Sequence, residues 1–292
     1  MVWKQVKTAV RTGIGAPGVR DGLRWFLNQR AVPQRWRDLA HRKLAKRARF
    51  APGQSFDYTS PDGAQLRFLH GGTSSYLYWL HAYDAETTSL FTELARSARV
   101  ILDIGAADGL YSVFAAAANP AARILAFEPG DGAAAICAKN FELNLPATRN
   151  VELHRIALGE QDTESVLYVA GETGGTSSLN PQFRRDRREQ RVSVRAGDSL
   201  LRELAIDRVD LIKIDTESTE PDVLRGFSDQ LRREAPDIIC EVLHGRTERA
   251  LEALLRPLGY RFFWITSEGL LPRDTLDGDP SYRQPNYLFR AR

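Results

Sequence analysis

From about residue 99 onward, short apolar runs alternate with segments of helical periodicity, and this alternation constrains the fold more than any other feature. Val100-Ile101-Leu102-Asp103-Ile104, Ile124-Leu125-Ala126-Phe127, residues 151–156, residues 209–214 and Ile238-Ile239-Cys240-Glu241-Val242 read as buried strands. Leu110 to Ala118, Asp131 to Asn144, a segment opening at Glu220-Pro221, and Thr247 to Leu258 read as the intervening helices. Residues 261–265 and 286–289 are placed to close the sheet. Helical crossovers between strands require a mostly parallel sheet covered on both faces. Ligands of such sheets bind at the carboxyl ends of the strands, near the point where strand order reverses. Two polar stretches, 171–190 and 269–285, read as long loops, the first following a hairpin strand at 165–169.

Composition narrows the class. Hydrophobic residues make up 43% and charged residues 26%, values of an ordinary globular chain with a core large enough to need no disulfide staples. The two cysteines, Cys137 and Cys240, form neither a CxxC pair nor a metal cluster. A reducing, cytoplasmic compartment follows. No apolar run reaches the roughly 18 residues of a spanning helix. The N-terminus has no apolar core of the signal-peptide kind.

Charge is unevenly distributed. Residues 1–50 hold 13 Lys and Arg against two acids, a balance of +11, while the remainder carries −8. Within this arm, Trp36, Leu39, Ala40, Lys43 and Leu44 follow helical spacing among arginines. A basic amphipathic helix docks on an acidic body or lies on an anionic membrane surface. Peripheral contact with the inner face of a membrane is therefore an open expectation. Nucleic acid is disfavoured, because the body has no aromatic-studded basic surface.

The strand ends carry the chemistry. The first ends in Asp103-Ile104-Gly105-Ala106-Ala107-Asp108-Gly109-Leu110-Tyr111-Ser112. Small residues at 105–107 admit a ligand close to the backbone. The second ends in Phe127-Glu128-Pro129, with Glu128 placed 23 residues after Gly105, where a carboxylate accepts ribose hydroxyls. A dinucleotide site would need G-x-G-x-x-G, and the middle glycine is missing. Asp103 and Asp108 repel a pyrophosphate and suit a cofactor with a cationic part, such as S-adenosylmethionine. The fourth strand ends in Lys213-Ile214-Asp215-Thr216-Glu217-Ser218-Thr219-Glu220. Asp215, Glu217, Glu241 and His244 are the candidate catalytic groups, since a weakly acidic hydroxyl needs a general base. Glu220 reads as a helix N-terminal charge. The same four side chains are donors suited to Mg²⁺ or Mn²⁺; a divalent metal stays open, and no metal ligand is assigned.

These motifs, with Asn140 to Asn144, Ala157-Leu158-Gly159 and Val223-Leu224-Arg225-Gly226, resemble in order and spacing the FkbM-type S-adenosylmethionine-dependent methyltransferases over residues 75–290. The resemblance implies an α/β, class I methyltransferase (Rossmann-like) fold: a seven-stranded sheet with helices on both faces, its last strand antiparallel. Residues 76–292 would form this domain, and 1–75 a basic helical extension and cap. It implies O-methylation of a sugar, glycan or natural-product hydroxyl. Cofactor-binding positions carried over are Asp103, Gly105, Ala106, Asp108, Gly109, Tyr111, Ser112, Glu128, Pro129, Ala157, Leu158 and Asp215, with Ala157 and Leu158 beside the adenine. Ser218-Thr219 stands where the family usually has Gly-Ala. A nucleic-acid methyltransferase using the basic arm, and a nicotinamide-dependent oxidoreductase, are the alternatives. The acceptor is expected to be a small molecule or glycan; the Arg184–Arg188 run and the aromatic group Tyr76, Tyr78, Trp79 and Tyr83 are candidates to border it. The sequence leaves the oligomeric state open.

Overall fold

The computed structural model describes Gly22, Arg24, Trp25, Phe50, Ala51 and residues 53–170, 176–182 and 187–291. The expected basic helix around Trp36 and most of the Arg184–Arg188 run lie outside the described residues. Contacts within the chain divide it into two units, Met1–Tyr83 and Asp84–Arg292. No helix among the described residues is long and apolar enough to cross a membrane.

In the first unit, β1 (Ser55–Thr59) and β2 (Gln65–Leu69) form an antiparallel hairpin. Alternation along the strands sends Phe56, Tyr58, Leu66 and Phe68 inward. Helix α1 (Ser75–Leu80) buries Leu77, Tyr78 and Trp79. Tyr78 meets Phe56 and His70 edge-on. Two of the four aromatic candidates are thus core residues. Tyr76 and Tyr83 form a second ring pair, their centroids 5.3 Å apart.

The second unit opens with α2 (Ala85–Ala95) and then alternates. Its parallel core comprises β3 (Val100–Ile104), α3 (Leu110–Ala118), β4 (Arg123–Phe127), α4 (Asp131–Leu143) and β5 (Val151–His154). A separate sheet follows, made of β6 (Ala157–Gly159), β7 (Thr163–Ala170), β8 (Thr176–Ser178) and β9 (Arg188–Ala196) in the order β6-β9-β7-β8. The chain continues through α5 (Gly197–Glu203), β10 (Leu211–Ile214), α6 (Glu220–Arg225), α7 (Ser228–Arg233), β11 (Asp237–Glu241), α8 (Glu248–Leu255), β12 (Arg261–Thr266), β13 (Gly269–Arg273) and β14 (Asn286–Arg290). The main sheet has the order β13-β12-β14-β11-β10-β3-β4-β5. Strands β11, β10, β3, β4 and β5 are parallel, and β14 runs antiparallel to both β11 and β12. This is the class I methyltransferase arrangement with one strand added: the expected seven become eight, because β13 pairs with the outer edge of β12.

Two loop expectations are corrected. The 269–285 stretch contains β13, an edge strand whose Pro272 and exposed side chains hide any buried-strand signal. The 171–190 stretch contains β8 and the start of β9, and Ser178 is buried. The hairpin strand expected at 165–169 is the longer β7.

Alternation along the parallel strands sorts side chains between two faces. Leu102, Ile104, Leu125, Phe127, Ile212 and Ile214 pack with residues of α5 to α8. Ile101, Ile124, Leu211 and Ile239 pack with residues of α2 and α3. Asp103 and Lys213 fall on this second face, at its carboxyl end, directly opposite one another in the β3–β10 register.

Candidate active site

The site begins where β3 meets α3. Asp103 is buried, and its Oδ2 accepts from the Ser112 amide at 3.1 Å and the Ser112 hydroxyl at 2.6 Å. A carboxylate under the first turn of a helix takes up amides that have no intrahelical partner. Burial pushes the Asp103 carboxyl up to about 6, against the pull of Ser112 and Lys213. The chain then turns sharply. Gly105, at φ +80°, has no room for a side chain, because a Cβ would lie 1.9 Å from the Asp215 carbonyl oxygen. The Gly105 and Ala106 amides both donate to the Phe127 carbonyl at 3.0 Å, tying this turn to β4. Gly109, at φ +78°, packs against Cys137 and Phe141 of α4. Asn140 donates to the Asp108 carbonyl at 2.7 Å. The turn is therefore held from three sides, and its backbone faces the β10 end across one glycine.

Glu128 stands at the end of β4, buried, with its oxygens accepting from the Ala107 amide at 2.9 Å and the Gly130 amide at 2.7 Å. Burial raises its carboxyl to about 7, with the two amides opposing. A carboxylate has about four lone-pair sites, so two amides leave capacity for two further donors. The Pro129 carbonyl accepts from Gln190 of β9 at 2.8 Å. The side chains of Ala157 and Leu158 are both buried, the first in the small-sheet core and the second in the main core.

The β10 end forms the other wall. Lys213 is 1% exposed, donates to the Ile214 carbonyl at 3.2 Å, and lies 3.5 Å from Asp215 Oδ2. Its ammonium also sits 5.2 Å from the centre of the Tyr111 ring. Burial alone would lower its pKa, but Asp215 and Glu241 hold it above the ordinary value. The Asp215 side chain is 34% exposed. Glu220 is not merely a helix N-terminal charge. Fully buried, its Oε1 accepts from the Thr216 amide and hydroxyl at 3.1 Å each, and from the Ser218 amide at 3.0 Å. Burial raises it to about 7. Glu217 and Ser218 adopt φ +56° and +84°, so the serine occupies a conformation that favours glycine.

Four neighbouring strands thus bring their ends together: Asp103 from β3, Lys213 and Asp215 from β10, Glu241 from β11, Asn286 from β14. Asn286 faces Glu241 in the register and donates to Asp84 at 2.6 Å. Burial raises the Asp84 carboxyl, with Thr87 and Lys213 opposing. Burial also raises Glu241 well above the carboxylate range, reinforced by Asp215, Glu217 and Glu220. Asp84 and Asn286 are site residues that sequence reasoning missed, and Glu220 is one it read only as a helix N-terminal charge. The N-cap position of Asp84 was the one visible signal. His244 is engaged elsewhere: it is exposed, with Nδ1 2.9 Å from the Gly278 carbonyl oxygen and 3.9 Å from Glu248. Among the described residues no three His, Cys, Asp or Glu side chains are grouped to hold a metal ion.

A family model, Methyltransferase FkbM domain, matches residues 103–262, from the Asp103 turn to β12. The chain belongs to the FkbM methyltransferase family. Among curated relatives, the AMB antimetabolite synthetase AmbE of Pseudomonas aeruginosa is 29% identical over 55% of this chain, a segment that is 9% of the synthetase. Methyltransferase 1 of Beauveria bassiana is 26% identical over 55% of this chain and 71% of its own length. The FkbM methyltransferase structure from Methylobacillus flagellatus aligns with 14% identity and a TM-score of 0.46, covering 75% of this chain and 52% of that one. The O-methyltransferase TomG of Streptomyces achromogenes, solved with SAM, aligns with 14% identity and a TM-score of 0.42, covering 75% of this chain and 86% of that one. In this FkbM methyltransferase domain the matched segment contains every site residue named above except Asp84 and Asn286.

Proposed function

We propose that the chain is an S-adenosylmethionine-dependent O-methyltransferase acting on a hydroxyl of a sugar, glycan or natural product. The observation that carries this reading is the contact between the two wall motifs. Gly105 lets the turn after β3 close on the Asp215 carbonyl, where a Cβ would lie 1.9 Å from the oxygen, and the two turns together are read as the cofactor cradle. The cradle fits a cofactor with cationic groups. Asp103, Glu128 and Asp215 supply carboxylates. Glu128 would hold the ribose through its two remaining lone-pair sites, and the Gly105–Ala107 backbone would lie along the methionine part. When bound, S-adenosylmethionine supplies an activated methyl group.

The protein's own residues must then orient the acceptor oxygen and take its proton. Orientation contributes up to about 7–11 kcal/mol, and a general base about 10²–10⁴-fold. Asp215 is assigned the proton, because it is the cluster carboxylate that both reaches the surface and is braced by Lys213. Glu220 is buried and retains its proton to higher pH, and desolvation together with Asp215, Glu217 and Glu220 pushes half-buried Glu241 the same way. Beside Glu241, Asn286 is tied to Asp84 by its hydrogen bond. AmbE is named an antimetabolite synthetase, which favours a natural-product acceptor over a macromolecule.

Calorimetric titration with S-adenosylhomocysteine and with NAD tests the cofactor. Binding of the first alone, lost in Gly105→Ala, is expected; binding of NAD would overturn the reading. A labelled methyl group then reports the linkage, since an ether survives mild base and a carboxyl ester does not.

A further inference from the structure

The turn that carries Asp215 is held from outside by a part of the chain the mechanism has not used. Strand β8 hangs from the edge of the small sheet, pairing Ser178 with Tyr168 of β7. From that anchor the buried Ser178 hydroxyl donates to the Glu217 carbonyl at 2.7 Å and accepts from the Asn180 amide at 3.0 Å. Asn180 Nδ2 donates to the Ser218 hydroxyl at 2.9 Å, while Asn180 Oδ1 is fixed by the Gln182 amide at 2.9 Å. Beneath the turn, Glu220 Oε1 holds Thr216 and Ser218. Two consecutive residues with side chains, Glu217 and Ser218, are thereby kept at positive φ. A strained backbone of this kind persists only when its surroundings over-determine it. One residue before the turn, the Asp215 carbonyl abuts Gly105, where a Cβ would lie 1.9 Å from its oxygen. Leu179, Asn180 and Pro181 also form one side of a cleft of about 490 Å³ whose other side includes Ser218, Thr219 and Asp222. The Asn180–Ser218 bond therefore spans the rim of an open cleft rather than a sealed core.

We propose that Ser178 and Asn180 are positioning residues that fix the Thr216–Ser218 turn and, through Asp215, the wall of the cofactor cradle against Gly105. The serine at 218 is part of this device, since its hydroxyl is the acceptor that Asn180 needs. The effect on the cradle rests on the function proposed above, whereas the clamp on the turn does not.

Hydrogen exchange at the Thr216 and Ser218 amides of the ligand-free full chain reads the clamp directly, and S-adenosylhomocysteine titration reads its consequence. In Asn180→Ala both amides are expected to exchange about tenfold faster, with strand amides of β3 and β4 unchanged. Affinity for S-adenosylhomocysteine is expected to fall about fivefold with an unchanged melting temperature. Asn180→Asp keeps the Gln182 contact and accepts from the Ser218 hydroxyl, so it should restore both readouts. Ser218→Gly suits the backbone but removes the tether, and in that background Asn180→Ala should add nothing. Unchanged exchange at the turn, wild-type affinity in Asn180→Ala despite faster exchange, or additive losses in the double variant would each overturn the proposal. Failure of the wild-type protein to bind S-adenosylhomocysteine would instead remove the cofactor assignment, leaving the exchange result to decide the clamp.

Discussion

Glu128 carries the clearest pH signature of any single residue. Its carboxyl moves from 4.5 to about 7 through burial, a displacement worth about 3 kcal/mol. The folded protein then holds a proton that the unfolded chain has already released between those two values. Its stabilising effect is complete below about pH 4.5 and disappears as pH rises through about 7, so stability falls across that window. Asp103, raised to about 6, and Glu220, raised to about 7, act in the same direction. The ligand-free protein should melt at higher temperature at pH 5.5 than at pH 8, and Glu128→Gln should flatten part of this slope in calorimetry. Ribose hydroxyls prefer the ionised carboxylate, so cofactor affinity should run the other way. S-adenosylhomocysteine is expected to bind up to about tenfold more tightly at pH 8 than at pH 6, and Glu128→Gln to bind weakly at both. A flat affinity profile in the wild-type protein would remove Glu128 from the ribose.

Elements separate binding from stability. The strand–turn–helix unit at Gly105 cannot accept a methyl group without moving either β10 or the loop, so Gly105→Ala should abolish S-adenosylhomocysteine binding. At the far end of α3, Asn119 Nδ2 meets the carbonyls of Ala95, Arg96 and Ala98 at 2.8–3.2 Å, joining the ends of two helices. Removing it takes the side-chain donor from the part-buried Ala98 carbonyl, at a cost of about 1 kcal/mol. Asn119→Ala should therefore lower the melting temperature and leave the affinity unchanged; a loss of affinity would show that the helix ends are coupled to the cradle. The same division governs what the sequence disclosed. Leu110–Ala118 was legible to the residue, because Gly109 and Asn119-Pro120 bound a strongly apolar helix. The acidic strand ends were legible because parallel topology sends chemistry there. Strand β13 was not, since an edge strand with Pro272 and exposed leucine has no burial period to read. Asp84 and Asn286 are 202 positions apart in sequence, and only the antiparallel return of β14 joins them. Asn180 reaches Ser218 only through the small sheet, whose strands carry too many exposed side chains to announce it.

At the scale of the whole chain, every site residue falls in the Asp84–Arg292 unit, whereas the aromatic core of Tyr78 and Trp79 belongs to Met1–Tyr83. A ligand that binds one unit stabilises that unit by mass action alone. At about 100 times its dissociation constant, S-adenosylhomocysteine contributes about 2.7 kcal/mol. For a unit of this size that corresponds to a rise of about 5–10 °C. The tryptophans provide a reporter, because Trp3, Trp25, Trp36 and Trp79 precede residue 84 and only Trp264 follows it. Circular dichroism, dominated by the larger unit, should shift upward with ligand, while the main tryptophan fluorescence transition stays in place. If both signals move together by the same amount, the two units unfold as one, and the energy that holds Asp215 against Gly105 is drawn from the entire chain rather than from its sheet.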